Sequence, residues 1–444
     1  MKKIAIVAAC ALVLAGLAPG LFASGQGEGS SGGVTKVRVA HMWQAGANKE
    51  ADVALAILNK LDTEHPEFEI VHEVVTGDEM RNKIRVDVAA NNAPDLWQFW
   101  VGGVMADYAA SGALLDINQY LAKSTRVKKA NFTDDAWATV TFNGVPLGMP
   151  RNVSVGVFMV NKELFAKYNL KYPKTWAEFI AVGKEFRKNG IIPTNIGSKG
   201  GNPSHFWFGD LACQYKDGVT QTEQIAKTLN FKNPAFIKAA KYCEEMQKAG
   251  LFPDDTMASG DWGPSIAFYN QGNVAMCYTF GWMFNDLPAE MVAKSEIIPI
   301  PRLPDGERDT KTFIQGAFND SYVINAKSFQ DQKKQAALVL IMDAICKDIT
   351  PALAQMGVLV AADIEVNKAM DLNKIENKMM VKTLQYRIAN NVSGSPMIWQ
   401  NLPDNKLQFD YQAGLDELWA GALTADQCID KIQKSFDDYK AKKK

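Results

Sequence analysis

The sequence predicts an α/β protein built as two lobes, each a mainly parallel sheet flanked by helices. Strand-like and helix-like patterns alternate from Val34 onward, which is typical of parallel sheets. The alternation begins again at Val153, and no polar low-complexity linker separates the two stretches after Gly33. The length of 444 residues leaves room for about two to four domains. We therefore expect two lobes joined by ordered segments.

The first half predicts the order strand, helix, strand, helix, strand. Period-2 alternation that ends at Trp43 marks the first strand, and apolar residues at helical spacing mark a helix at 49–61. The next strand is expected at 69–75, followed by a helix that ends at Asn91-Asn92. The third strand, 95–99, comes directly after Pro94.

The second half repeats this order, and a capping box marks one of its helices. The Thr175 hydroxyl can accept from the backbone amide of Glu178 while the Glu178 side chain reaches back, and Asn189-Gly190 ends that helix. Prolines keep 296–304 extended, so this segment and 144–151 are the predicted connections between the lobes. The other predicted elements are strands at 153–160, at 274–279 and within 313–324, and helices at 162–168 and 332–345.

The N-terminus has the layout of a secretory signal peptide. Lys2 and Lys3 precede an apolar run at 4–17, and Pro19 and Gly20 end it. We expect residues 1–23 to be a removed signal peptide and residues 24–33 a Gly/Ser tether. A membrane anchor is the alternative, but the helix breakers oppose it and no second apolar stretch follows.

Composition excludes several classes of function. Lys plus Arg number 48 and Asp plus Glu 49, so we expect no nucleic-acid partner. The spacings of the four histidines and of the five cysteines beyond Cys10 fit no metal site, and we expect neither a metal nor a cofactor. Those cysteines are expected to be small buried hydrophobes, although export would permit one disulfide. No catalytic motif is present, although a glycosidase carboxylate pair is defined by distance and leaves no motif.

The ten tryptophans divide into two groups. Trp137, Trp176 and Trp419 lie in helical patterns and are expected in the core. The other seven lie in loops or at the carboxyl ends of predicted strands, where α/β sheets bind ligands. Flat apolar rings beside carboxylates and amides suit a sugar, which offers a C–H face and a rim of hydroxyls. These seven, which predict a carbohydrate cleft, are Trp43, Trp97, Trp100, Trp207, Trp262, Trp282 and Trp399.

Six motifs follow one another along the chain. They are NNAPDL (91–96), GALLD (112–116), NGVPLGMP (143–150), VNKELF (160–165), PKTWAEF (173–179) and FYNQGNVAM (268–276) with Gly281-Trp282. In this order they resemble extracellular solute-binding protein family 1, the sugar-capturing component of ABC importers. The third motif carries Leu147 where the family usually has Tyr.

The resemblance implies the type II periplasmic-binding-protein fold, with a hinge of two or three crossing segments. It implies a first lobe of 34–145 plus 297–347 and a second of 146–296 plus 348–444. Residues 95–103 further resemble proteins that take up α-galactosides or xylo-oligosaccharides. The family usually places a lipid-bearing cysteine before the tether, whereas this chain has Phe22-Ala23-Ser24-Gly25, so a freely diffusing periplasmic protein is expected.

The resemblance and the tryptophan pattern together predict a monomeric binding protein that is not an enzyme. It would close two lobes on a sugar and deliver it to ABC permease subunits served by a separate ATPase, and the 95–103 segment favours an oligosaccharide. Alternative ligands are a polyol, a polyamine or a peptide, and the alternative class is an exported carbohydrate-active enzyme. Arg151 could instead be a structural partner for a core carboxylate. The predicted ligand-binding residues are Trp43, Gln44, Asp78, Trp97, Gln98, Trp100, Arg151, Asn152, Trp207, Asp210, Asp261, Trp262, Trp282, Gly316, Asp320 and Trp399.

Overall fold

A computed structural model describes residues 34–75, 77–199, 202–316 and 318–443, without the side chains of Asp78, Asn202 and Lys443. The predicted signal peptide and tether lie outside the described residues. Contacts divide the chain into the units Met1–Val34 and Thr35–Lys444, and the fold is that of the second unit. Within the described ranges, no helix is both long enough and apolar enough to cross a bilayer.

Strands and helices alternate along most of the described chain. The strands are β1 (Thr35–His41), β2 (Phe68–Val74), β3 (Leu96–Trp100), β4 (Thr141–Phe142), β5 (Val145–Pro146), β6 (Met149–Pro150), β7 (Asn152–Val153), β8 (Gly156–Asn161), β9 (Ile192–Thr194), β10 (Ser198–Lys199), β11 (Asn202–Pro203), β12 (Val274–Phe280), β13 (Ser295–Ile298), β14 (Phe313–Gln315), β15 (Asp320–Ile324), β16 (Val360–Ala361) and β17 (Ser393–Ser395). The helices are α1 (Lys49–Glu64), α2 (Gly77–Ala89), α3 (Ala106–Ser111), α4 (Ile117–Leu121), α5 (Asp134–Ala138), α6 (Lys162–Lys167), α7 (Trp176–Lys188), α8 (Ser204–Ala212), α9 (Lys216–Thr228), α10 (Pro234–Lys248), α11 (Trp262–Asn270), α12 (Ala289–Lys294), α13 (Ala326–Gln330), α14 (Gln332–Ala344), α15 (Thr350–Met356), α16 (Ile364–Ala369), α17 (Lys378–Asn390), α18 (Ile398–Asn401), α19 (Asn405–Trp419) and α20 (Ala425–Lys443).

Capping residues set the helix ends that the sequence indicated. The Asn48 side chain accepts from the Ala51 amide at the start of α1. Both bonds of the predicted capping box are present, since Glu178 N donates to Thr175 Oγ1 and Thr175 N donates to Glu178 Oε2. Asn91, just after α2, has a left-handed φ of 54°, which ends the helix as predicted.

The first sheet has the strand order β2-β1-β3-β15-β6, and we call the part of the chain packed on it the first lobe. β1 pairs in parallel with β2 and β3, so that Val39 lies opposite both His72 and Leu96. The predicted unit of three strands and two helices is confirmed. β15 is antiparallel to β3 and to β6, because the chain enters this sheet again from the other lobe.

The second sheet has the order β13-β8-β12-β9 and defines the second lobe. β8 is antiparallel to both of its neighbours, and β12 pairs in parallel only with β9. The expectation of a mainly parallel sheet is therefore wrong for this lobe. β8 begins at the crossing from the first lobe and β12 runs back toward it, so Phe280 at the end of β12 lies opposite Gly156.

Three segments connect the lobes in the part of the chain that the structure describes. The first contains β6 and β7, within and just beyond the predicted connection at 144–151. The second segment joins β14 to β15 and passes so close to the first that a Cβ on Gly316 would lie 2.6 Å from the Ser154 carbonyl oxygen. The third segment contains β16, which pairs with β7, so Ala361 lies opposite Asn152.

The predicted second connection at 296–304 needs correction. Arg302 O accepts from the Trp176 amide, and Leu303 N donates to Gln214 Oε1, so this stretch remains packed on the second lobe. The strand that enters the first sheet again is β15, which begins at Asp320, so the predicted boundary at 297 comes too early in the chain. Part of 348–444 also packs on the first lobe, because a Cβ on Gly103 would lie 1.7 Å from the Leu402 carbonyl oxygen. The rest of the predicted division into lobes stays a prediction.

Candidate functional site

A cavity of about 340 Å³ lies where the two lobes and the crossing segments meet. Tryptophan rings, amides and ionic side chains line it, contributed by strand ends, helix starts and all three crossings. The lining residues are Met42, Trp43, Asn48, Glu50, Ala51, Gly77, Arg81, Gln98, Trp100, Arg151, Asn152, His205, Phe206, Asp261, Trp262, Trp282, Asn319, Asp320, Val358, Leu359, Trp399 and Gln412.

Three of the five lining tryptophans are placed by the carboxyl ends of strands. Trp43 follows β1, Trp100 is the last residue of β3, and Trp282 follows β12. Trp262 opens α11 and Trp399 lies in α18, which brings rings from distant parts of the chain to one cavity. The strand ends are where α/β sheets present ligand-binding groups.

The second lobe contributes a connected group of aromatic rings. Trp282 stacks on Phe280 with centroids 4.5 Å apart and planes 10° apart. Trp262 meets Trp282 edge-on at 5.5 Å, and Phe206 lies 5.4 Å from Trp262. Each ring is therefore fixed by a neighbour, and the half-buried Trp262 and Trp282 keep part of their surface open at the cavity.

A pair of histidines, His41 and His72, supports the position of Trp43. Its backbone amide donates to His41 Nδ1 at 3.2 Å, and the two rings lie 5.1 Å apart. Because Nδ1 of His41 accepts this bond, Nε2 carries the proton that it shares with His72 Nδ1 at 2.8 Å. Burial and, secondly, the charge of His72 lower the pKa of His41 to about 3. His41 is therefore neutral over the physiological range.

Arg151 is the centre of an ion-pair network at the first crossing. Its Nη1 lies 3.2 Å from Asp320 Oδ2, and its Nη2 lies 3.3 Å from Glu50 Oε1 of helix α1. Its backbone amide donates to the Asp320 carbonyl, and its carbonyl accepts from the Ala362 amide, so one residue contacts all three crossings. Burial raises the pKa of Asp320, and Arg151 and Gln98 oppose that shift.

A second arginine, Arg81 of α2, lies between two rings. Its guanidinium carbon is 4.8 Å from the Trp100 centroid and 5.3 Å from the Trp399 centroid. The sequence analysis did not single out Arg81. The feature that could have identified it is its position in the first turns of α2, on the same face as Gly77 and just beyond the carboxyl end of β2.

Several buried polar atoms at the cavity have no hydrogen-bond partner among the described residues. Two are acceptors, Gln98 Oε1 and Gln412 Oε1, and two are donors, Trp399 Nε1 and Arg151 Nε. Buried polar atoms are costly to leave unsatisfied. A bound solute that both donates and accepts hydrogen bonds could satisfy both kinds.

Ten of the sixteen predicted residues line the cavity. Gln44 is exposed beside Trp43 but is not part of the lining, and Gly316 lies in the second crossing. The side chain of Asp78 is not among the described residues. The ten lining residues are Trp43, Gln98, Trp100, Arg151, Asn152, Asp261, Trp262, Trp282, Asp320 and Trp399.

Three predictions are corrected, because the side chains are fully buried away from the cavity. Trp97 alternates with the cavity-lining Gln98 and Trp100, so it points to the opposite face of β3. Trp207 packs between Phe158 and Phe179 in the core of the second lobe.

Asp210, the third of these, has a structural role. Its carboxylate accepts from the Tyr278 hydroxyl at 2.6 Å and from the Gln315 amide at 2.8 Å. Burial raises its pKa to about 7, against the opposing effect of these hydrogen bonds.

Other predictions about composition can be compared with the described residues. Trp137, Trp176 and Trp419 are buried, as expected of core residues. Cys213, Cys243, Cys277, Cys346 and Cys428 are all buried and free. In the described ranges, no group of three or more His, Cys, Asp or Glu side chains could hold a metal ion.

Comparison with known proteins gives a consistent result. The family described as bacterial extracellular solute-binding protein matches residues 45–340. A probable sugar-binding periplasmic protein of Rhizobium meliloti is 26% identical over 299 residues, which cover 64% of this chain and 66% of that protein. The chain spans 62%, 58% and 41% of the length of three other curated relatives that it matches.

Solved structures cover more of the chain. One comes from work on xylan utilization by the thermophilic bacterium Caldanaerobius polysaccharolyticus. It has a TM-score of 0.78 and 25% identity, and the match covers 90% of this chain and 99% of that one. A chitin oligosaccharide binding protein has a TM-score of 0.79 and 18% identity, with 92% and 100% covered. The fold is therefore that of two-lobed periplasmic sugar-binding proteins.

Proposed function

Because the chain belongs to the bacterial extracellular solute-binding proteins, we propose that it captures an uncharged sugar, best an oligosaccharide, by closing two lobes on it. The observation that carries the proposal is the cavity between the lobes, with five tryptophans from both sides of it. The similarity to a probable sugar-binding periplasmic protein and to a structure from work on xylan utilization supports the same ligand class.

The chemistry of the lining fits a sugar at both of its surfaces. Trp262 and Trp282 offer aromatic faces to the C–H face of a pyranose ring. Gln98 and Gln412 offer acceptors, and Trp399 offers a donor, to the hydroxyl rim. A hydroxyl can donate and accept, so one ligand class satisfies both sets of buried atoms.

The charges at the cavity favour an uncharged ligand over a polyamine. The carboxylates of Glu50, which is partly buried, and of Asp320, which is buried, already pair with Arg151. The Arg81 guanidinium lies against the Trp100 and Trp399 rings, so a cationic ligand would compete with it for these aromatic faces. Asp261 is exposed at the rim. A peptide would leave most of the aromatic faces without a matching ring surface.

Binding without turnover is part of the proposal. A glycosidase needs one carboxyl group free to protonate the leaving oxygen and a second to act on the sugar. Here Glu50 and Asp320 share one arginine, which occupies both carboxylates. The sugar would be released unchanged to the permease subunits of an ABC importer with a separate ATPase. In this role the protein would act as an exported, freely diffusing monomer without a nucleic-acid partner.

Closure would work through differential contacts. Periplasmic binding proteins are known examples of hinge closure around ligands. A sugar held by Trp43 and Gln98 of the first lobe gains contacts with Trp262 and Trp282 only when the second lobe approaches. Ligand therefore shifts the population toward the closed form.

A binding panel tests the proposal. Purified mature protein is titrated with xylotetraose, chitotetraose, raffinose, maltotriose, glucose, sorbitol, spermidine and a tripeptide, with Trp fluorescence and thermal unfolding as readouts. At least one oligosaccharide should stabilise the fold, by about 2.7 kcal/mol at a hundredfold excess over its Kd. Stabilisation by spermidine, sorbitol or the tripeptide alone would overturn the sugar assignment. Shorter products after long incubation would identify an enzyme instead.

A further inference from the structure

Helix α1 begins with two neighbouring charged side chains that point in different directions. Glu50 turns inward and accepts from Arg151 in the cavity wall. Lys49 turns outward and forms an ion pair with Glu376, a residue 327 positions later in the chain. Both members of the outer pair are more than half exposed, whereas the Arg151 side chain is 6% exposed.

The two members of the outer pair belong to different lobes. Lys49 opens the helix that connects β1 to β2, so it is part of the first lobe. Glu376 follows Ile375, which is fully buried in the hydrophobic cluster of the second lobe. The next residue, Asn377, donates from Nδ2 to Asn285 Oδ1 at 2.7 Å, and Asn285 follows β12. The ion pair therefore spans the two lobes.

The pair also lies next to the cavity and to the third crossing. Asn48 and Glu50, the sequence neighbours of Lys49, both line the cavity. Asn377, the neighbour of Glu376, donates its amide to the Met356 carbonyl, two residues before the crossing residue Val358. A change in the angle between the lobes would change the Lys49–Glu376 distance.

The position of Lys49 is unfavourable unless it has a partner. It is the first residue of α1, where the helix dipole is positive and acidic side chains are preferred. Asp52 and Glu50 in the same turn follow that preference, and Lys49 does not. Glu376 supplies the negative charge that offsets the conflict, and it can do so only when the lobes are this close.

We propose that Lys49 and Glu376 form a latch between the lobes, which stabilises the closed form and slows release of the bound sugar. The role in sugar release rests on the proposed function, whereas the effect on the lobes does not. Because the pair is exposed, its contribution is small and screened by salt. It makes no contact with the sugar, so it should change the closing equilibrium and the rate of release rather than the choice of sugar.

A charge-swap cycle tests the latch without any ligand. Spin labels at Lys60→Cys on α1 and Lys184→Cys on α7 report the distance between the lobes in wild type, Lys49→Glu, Glu376→Lys and the double swap. The single variants should move part of the distance distribution to longer values, and the swap should restore it. Lys232→Glu, which breaks the exposed pair with Asp430 inside the second lobe, is the matched control and should leave the distances unchanged.

Release kinetics give the second readout. Stopped-flow dissociation of xylotetraose or chitotetraose should be about two- to fivefold faster in each single variant and near the wild-type rate in the swap. Raising NaCl from about 0.05 M to about 0.5 M should speed release in wild type and swap, where salt screens an attraction, and should slow release in the single variants, where salt screens a repulsion. Identical distances in all four proteins would overturn the latch. If no sugar in the panel binds, the proposed function fails, while the distances still decide the latch.

Discussion

Nη1 of Arg151 lies 3.2 Å from Oδ2 of Asp320, and this pair joins the first crossing segment to the second inside the protein. Both side chains line the cavity, and Glu50 of α1 completes the network. The residues that would sense a ligand are therefore the residues that hold the crossings together. Arg151 pairs with the buried Asp320 and the partly buried Glu50, which is the structural role that the sequence left open for it, whereas its contact with a ligand stays a prediction.

We expect Arg151→Met to destabilise the protein strongly. Methionine fills a similar space but leaves Glu50 and Asp320 without their cation, and breaking a buried ion pair costs about 3–5 kcal/mol. The midpoint of thermal unfolding should fall accordingly. Arg126→Met, which removes a partly exposed pair with Asp348, is the control and should cost about 1 kcal/mol or less. Equal effects of the two substitutions would contradict the assigned role of Arg151.

Trp262→Ala should weaken sugar binding more than it weakens the fold. The ring is half-buried at the cavity and packs on Trp282, so its loss removes a stacking surface worth about 2 kcal/mol, or roughly a thirtyfold higher Kd. Trp419→Phe is the opposite case, because Trp419 is buried against Phe252 far from the lining. It should lower the unfolding midpoint and leave Kd unchanged in the same titration.

The free energy of unfolding should fall as the pH is lowered, because His41 is held neutral in the folded state. Its folded pKa is lowered from 6.5 to about 3, so the neutral form is favoured in the native state. This contribution is fully present above pH 6.5 and is lost as the pH falls toward 3, at about 1.4 kcal/mol per pH unit. The neighbouring His72 is partly buried, and this burial lowers its pKa as well, with the charge of Asp62 opposing the shift.

The variant His41→Gln isolates this effect. Its free energy of unfolding, measured in urea between pH 7.5 and pH 4.5, should fall less steeply than that of wild type. The glutamine amide lies at the position of His41 Nε2 and can keep the hydrogen bond to His72 Nδ1, so sugar affinity at pH 7.5 should change little. His65→Gln, at a side chain that is 32% exposed and pairs with Glu67, is the control for the loss of a histidine elsewhere in the chain. Parallel curves for His41→Gln and wild type would refute the prediction.

Gly316→Ala should disturb the crossing segments. The added Cβ would lie 2.6 Å from the Ser154 carbonyl oxygen, a backbone atom that cannot rotate away. We expect a lower unfolding midpoint and weaker sugar binding, because the second crossing must move away from the first. Gly263→Ala is the matched control, since a Cβ there meets nothing within 4 Å and the site is helical. It should leave the unfolding midpoint unchanged or slightly raised.

The sequence predicted where the strands end better than it predicted which face of each element meets the cavity. Trp43, Trp100 and Trp282 were placed at the cavity because local patterns located the strands that they follow. Trp97 was assigned wrongly because β3 is buried on both faces, so its composition does not tell which face meets the cavity. Alternation alone required that Trp97 and Gln98 point in opposite directions.

The remaining differences between the predicted and the observed site arise from a fully buried helix and from segments that are distant in sequence. Every described side chain of α8 is buried, so no polar face distinguishes Trp207 and Asp210 from the cavity-lining His205. Gln412 reaches the cavity from α19, near the end of the chain, and no local pattern marks that approach. The antiparallel pairing of β8 with β12 likewise depends on how the chain crosses between lobes.

The position of β15 has a consequence for how the protein is made. This strand lies between β3 and β6 in the first sheet, although about 220 residues of chain separate it from β3. During synthesis the first lobe therefore lacks an internal strand until Ile324 has left the ribosome. A nascent chain that cannot complete its N-terminal lobe early should stay incompletely folded for longer.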